Sequence, residues 1–190
     1  MSARRPAPAG RRQGGVSLIE LVMFIVVLSV ALTAILRIFI QSTVASADPQ
    51  LQRQALAIAE SLIDEVQLMP FTFCDPDDAN VDSASSSAGC ASLAESIGPE
   101  SGEGRYATPQ FDNVNDYNGF AMTGITDLSN SAVPGLSGYS ASIAVANAAL
   151  GGLTAGSGDV LRITVTVTGP GNTRVVLDGY RSRHAPNAAL

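Results

Sequence analysis

Residues 16–40 are apolar almost without interruption, and the stretch "LVMFIVVLSVALTAIL" at 21–36 contains no charge. A helix of about 25 residues rises roughly 37 Å. That is enough to cross a hydrocarbon core about 30 Å thick with some tilt, so the segment predicts a membrane span. Downstream the period changes. Apolar residues fall at 51, 55, 58, 59, 62, 66 and 69, with Arg53, Glu60, Asp64 and Glu65 away from the centre of that stripe, which predicts an amphipathic helix over 49–69. Asp48 as N-cap and Pro49 at the first helical position predict a bend or a fresh helix start between the two segments, and Pro70 predicts the end.

Three segments then alternate with period two, at 138–147, 160–169 and 173–182. The last two are joined across "GPGN", a hairpin signal. Between helix and strands, residues 71–135 lack strong periodicity and are rich in Ser, Asp, Gly and Pro, with a turn expected at "NDYNG", 115–119. Long irregular segments are uncommon in compact domains, so this one must be stapled or packed along the helix. The expected fold class is α+β: a long N-terminal helix, membrane-spanning in its first half and amphipathic in its second, packed against a small antiparallel β-sheet head.

Charge gives the span an orientation. The first fifteen of the 190 residues hold Arg4, Arg5, Arg11 and Arg12 and no acid, while all seventeen acids lie beyond Gly15. Arginines beside a span are retained in the cytoplasm, so residues 41–190 are expected outside the inner membrane. Removal of residues 1–15 would take the net charge from −6 to −10, which disfavours nucleic acid as a partner. Cys74 and Cys90, the two cysteines, both fall in the exported part. In an oxidising compartment such a pair forms a disulfide, stabilising by about 3 kcal/mol for a loop of this size. Two free thiols are the alternative, and a zinc site would want more Cys or His ligands than the chain supplies.

One acid, Glu20, stands at the start of the apolar run. A charged residue at the centre of a membrane helix costs roughly 2.5–3.5 kcal/mol on insertion scales, so Glu20 needs a partner or a purpose. An ordinary secretory signal places its small-residue cleavage site after the apolar core. Here "RRQGG" precedes that core, and a cut after Gly15 would remove the basic leader and leave the span attached.

The leader, Gly15 and the following Val16-Ser17-Leu18-Ile19-Glu20 resemble the class III signal of the type IV pilins and pseudopilins. The resemblance implies cleavage after Gly15 by a prepilin peptidase and N-methylation of Val16, a position where family members more often carry Phe, Met or Leu. It also implies a role for Glu20, whose carboxylate would pair with the new α-amine of its own or a neighbouring subunit and so fix the axial register of assembly. Snorkelling at the cytoplasmic interface, or pairing with its own amine alone, are the plainer readings of that acid. Major pilins commonly carry proline where this chain has Arg37, and the departure leans towards a minor pilin or pseudopilin.

A narrower resemblance, to the minor pilins of mannose-sensitive haemagglutinin (MSHA) type pili, runs through "SADPQLQRQALAIAESLIDEVQLMPF", "DPDDAN", "NDYNGF" and "GYRSRHAP". What this implies is a leader at 1–15, a transmembrane and filament-core helix at 16–47, and an α+β pilin head at 48–190. It further implies other pilin subunits, the peptidase, and an assembly platform with its ATPase as partners. The subunit would sit first in the inner membrane, head periplasmic, and then in the filament.

Other chemistry was weighed against duller readings. Asp75, Asp77, Asp78 and Asp82 lack the spacing of an EF-hand and read as a solvated acidic loop, with calcium as the rival. His184 is the sole histidine, too little for a catalytic constellation. "GPGNTR" lacks the spacing and lysine of a phosphate loop and reads as a hairpin turn. Tyr180, Arg181 and Arg183 read as exposed residues at the end of a strand, with contact to a neighbouring subunit as the rival. The expectation is a structural subunit with no catalytic residues, no metal and no cofactor; a type II secretion pseudopilin and a monomeric membrane-tethered binding protein are the alternatives.

Overall fold

The computed structural model describes Gly15 and residues 17–187, without the side chains of 39–48. Helix α1 runs Leu18–Leu68, and the chain divides into two compact units between Ser46 and Ala47.

In the first unit, the apolar stretch Leu18–Ile38 is long and apolar enough to cross a membrane, and none of it is buried. Its two hydroxyls are satisfied within the helix. Ser29 Oγ donates to the carbonyl of Ile25 and Thr33 Oγ1 to that of Ser29, each at 2.7 Å, so neither needs water.

Helical assignment continues through Asp48 and Pro49, which corrects the expected N-cap and fresh start there. A proline's fixed φ is already helical. Its loss is confined to one hydrogen bond and crowding of the preceding turn, and the Ala, Leu and Gln residues on either side favour helix.

The second unit is built on the helical stripe. Ala55, Ile58, Ala59, Leu62, Ile63 and Val66 are buried in one cluster with the inward rows of the sheet, including Ile143 and Val145 and, from the next strand, Ile163, Val165 and Val167. Each such Ile, Leu or Val contributes about 1.5–3 kcal/mol by leaving water. Four antiparallel strands lie in the order β1 (Ala121–Thr123), β2 (Ser140–Asn147), β3 (Val160–Thr168) and β4 (Arg174–Ser182). Three were expected; β1 was not. Only three residues long with one buried side chain, Met122, it carries no readable alternation and exists through its pairing with β2. β3 and β4 meet at a hairpin through Pro170–Asn172, where Gly171 and Asn172 have φ of 65° and 59°. On β4, a Cβ added at Gly179 would stand 2.7 Å from Gln67 Nε2 and 3.3 Å from Ile63 Cγ2. Glycine there lets the helix lie close on the sheet.

Residues 71–135 are anchored rather than loose. Val114–Tyr117 form a buried 3₁₀ turn with a reciprocal capping box between Asn113 and Asp116. "NDYNG" is therefore a piece of the core that ends in a turn at Gly119, φ 85°.

Candidate functional site

Glu20 lies in the first turn of α1 and is exposed. The Leu21 amide donates to the Ser17 carbonyl at 3.1 Å, which sets Ser17 at the helix entrance. Ser17-Leu18-Ile19-Glu20 has the spacing of a capping box, and an acid at a helix N-terminus gains about 0.3–1 kcal/mol from the macrodipole. This is a second reason for the acid, legible in the sequence and separate from pairing with an α-amine. Gly15 is exposed, with open space where a side chain would stand. Val16 and the leader residues 1–14 lie outside the described residues.

In the head, Cys74 and Cys90 form a disulfide with Cα atoms 5.5 Å apart. The loop it closes is organised by Asp78. Asp78 Oδ1 accepts the amides of Asn80 and Ala91 at 2.8 and 2.9 Å, and Oδ2 those of Ser92 and Leu93 at 2.8 Å each. The bonds from Ala91 and Leu93 above all hold this carboxyl far below the usual range, against the opposing effect of burial. Asp75 is also buried and accepts the Asp77 amide at 2.6 Å. The solvated acidic loop is thus corrected. Asp77 and Asp82 are exposed and Asp75 is buried, while Asp78 is structural, because a carboxylate accepting several amides can replace a missing ladder.

Beneath this loop lies a second set of acids. Carboxylate oxygens of Asp75, Glu95 and Glu100 lie within 4.8 Å of one another, as do those of Glu100, Glu103 and Asp116. Burial, with Glu100 and Asp75 adding repulsion, pushes the Glu95 carboxyl up to about 8. Burial, then Glu95 and Glu100, pushes Asp116 to about 8. Burial followed by Glu100 and Asp112 raises Glu103 to about 7, and Asp112 itself is raised to about 6 by burial and by Asp75, Asp77 and Glu100. Glu95, Glu100 and Glu103 are spread along an irregular segment, so no period marked them as neighbours.

Two arginines tie the head together. Arg105 is 5 % exposed and forks onto Glu65 of α1, Nε to Oε1 and the second guanidinium nitrogen to Oε2, both at 2.7 Å. Tyr117 donates its hydroxyl to the same Glu65 Oε1 at 3.0 Å. Burial alone would lower the Arg105 pKa, yet the Glu65 carboxylate holds it above its ordinary value. A cavity of about 690 Å³ opens beside this pair, between α1 and the 125–136 segment. Its walls, Ala57, Ile58, Leu62, Ile125 and Leu136 among them, are mostly apolar; of its charged groups, Glu65 and Arg105 are bound to each other, and Asp127 accepts from Ser129 and Ser131.

Arg183 corrects a further expectation. Its guanidinium stands 4.0 and 4.3 Å from the ring centroids of Phe71 and Phe73 and donates to the carbonyls of Thr72 and Gly158 at 2.9 and 3.0 Å. Arg181 donates to the Met69 carbonyl at 3.2 Å, whereas Tyr180 is 45 % exposed, and His184 is exposed with its ring on the Ser182 carbonyl. The end of β4 therefore clamps the turn that follows α1.

No family model, no curated protein and no solved structure matches this chain.

Proposed function

We propose that this chain is a non-enzymatic structural subunit of a type IV pilus, a minor pilin of MSHA-like kind. It is processed after Gly15, N-methylated at Val16 and assembled through its N-terminal helix. The observation that carries the reading is an apolar helical stretch of 21 residues, Leu18–Ile38, with no buried residue and one carboxylate in its first turn. Such a surface requires lipid or other apolar helices as its surroundings. A single-pass anchor in the inner membrane, followed by packing among the same helices of other subunits, meets that requirement in two successive settings. The prepilin peptidase and the platform and ATPase machinery are the partners this reading brings. The disulfide suits a head exported to an oxidising compartment. Arg37 in the place where bulk shaft subunits carry proline also keeps a type II secretion pseudopilin open as the second reading.

Glu20 separates register from capping. Glu20→Gln keeps a side chain able to cap the first turn but removes the charge. Under the proposal its recovery in sheared filaments falls about tenfold or more, the loss of roughly 1.4 kcal/mol of pairing energy, while processing after Gly15 continues. Undiminished incorporation would leave Glu20 as a helix cap only. Mass spectrometry of the mature N-terminus gives the companion test, since a membrane-tethered monomer would keep the leader.

A further inference from the structure

We propose that the carboxylate cluster centred on Glu100 is a calcium site of the head. Glu100 belongs to both groups of converging carboxylates, with Asp75 and Glu95 on one side and Glu103 and Asp116 on the other. The cluster alone would be unremarkable on an acidic protein. What sets it apart is that one oxygen each of Glu95, Glu100 and Asp116 is buried and unanswered. Asp116 is wholly buried, with Oδ2 occupied by the amides of Asp112 and Asn113 at 3.0 and 2.7 Å and Oδ1 without any partner. Glu95 Oε1 and Glu100 Oε2 are likewise buried and unpartnered.

Among the described residues the one ion pair within 4.0 Å is Arg105 with Glu65, so no arginine answers these oxygens at that distance. Orphaned acceptors in the interior are costly, and several carboxylates drawn together add repulsion. A hard divalent cation resolves both difficulties at once. Calcium takes six to eight oxygens at about 2.3–2.6 Å in irregular geometry. Two carboxylate triads that share Glu100, supplemented by water, fit that demand better than the strict octahedron of magnesium.

The ligands also say what the ion would do. Asp75 follows α1 next to the disulfide, Glu95 to Glu103 form the middle of the connecting region, and Asp116 sits in the buried 3₁₀ turn. An ion in either triad would tie the Glu100 stretch to one of the other two, adding a second staple to an irregular segment that the disulfide closes only at its start. From the sequence, calcium is the rival reading for the acids at 75–82. The structure moves the candidate, since Asp78 is committed to four amides and only Asp75 of that group reaches the cluster. The inference does not depend on filament assembly.

The test uses the full chain in detergent, stripped with EGTA, with calcium chloride alone as the probe. Isothermal titration should show saturable binding, and Tm should rise with calcium concentration and more weakly with magnesium. Glu100→Gln should weaken calcium binding about tenfold or more, and Asp116→Asn likewise, whereas Asp82→Asn, an exposed acid outside the cluster, should bind as the parent does. If Asp116→Asn does not fold, Glu100→Gln decides. Absence of binding heat and of any Tm change at millimolar calcium overturns the proposal, and so does a Glu100→Gln variant that binds like the parent.

Discussion

Leu28 and Leu62 are the same side chain in the same helix, yet the first is 46 % exposed and the second 4 %. The difference lies in what surrounds each in sequence. Around Leu28 apolar residues occupy every side of the helix, so no arrangement of this chain alone could cover them. Around Leu62 they form one stripe, flanked by Glu60, Asp64 and Glu65, and the sheet covers that stripe. The first region must be completed by its surroundings, and the second is completed by its own chain. Substitutions in one should therefore change where the protein resides and what it joins; substitutions in the other should change whether the head folds.

The most direct way to break this comparison is to truncate both leucines. Leu62→Ala should lower head stability by about 2–5 kcal/mol, read by denaturant unfolding in detergent. Leu28→Ala should leave it within about 0.5 kcal/mol. Equal losses would mean that the apolar stretch also supports the head.

Removing the disulfide sharpens the contrast at somewhat smaller cost. Cys90→Ser should destabilise the head by about 3 kcal/mol. Amide exchange should accelerate at Ala91, Ser92 and Leu93, which depend on Asp78, with no change at Ile25 to Thr33. Unmodified protein should migrate on non-reducing gels as an intramolecularly bridged chain, and quantitative thiol labelling without reductant would contradict the bridge.

The change with pH also belongs to the head. In the calcium-free chain Glu95 and Asp116 carry folded values near 8, against ordinary values of 4.5 and 3.8. Between those limits the folded state binds more protons than the unfolded state, so stability declines as pH rises from about 4.5 to about 8. Asp78 acts in the opposite sense, since its folded value is depressed and its contribution is lost as pH falls below about 3.8. Tm measured in EGTA from pH 3 to 9 should show a broad maximum near pH 4–5. A flat profile from pH 5 to 8 would mean that the acids are better hydrated than their burial implies.

Much of this was legible beforehand. The apolar span, the helical stripe, three of the four strands and the hairpin at "GPGN" are periodic or local features, and the structure has them. The function proposed rests on the resemblance of residues 10–20 to a class III signal. Less legible were Asp48 and Pro49, where one local helix-start signal met good helix formers on both sides. β1 was too short to show a period. Arg183 looked like a surface residue because nothing in "GYRSRHAP" announces two phenylalanine rings more than a hundred residues earlier in the chain.

Periodicity and charge, which are properties of neighbours along the chain, determined by themselves the helix, its apolar first half, three of the strands and the orientation expected in a membrane. Only the tertiary structure decided that Asp78 gathers four amides, that Arg105 forks onto Glu65, and that five acids from three stretches converge on Glu100. Those arrangements join residues as far apart as Asp75 and Asp116, most of them through irregular loops. A loop has no repeat to fix where its side chains point until the core has folded beneath it.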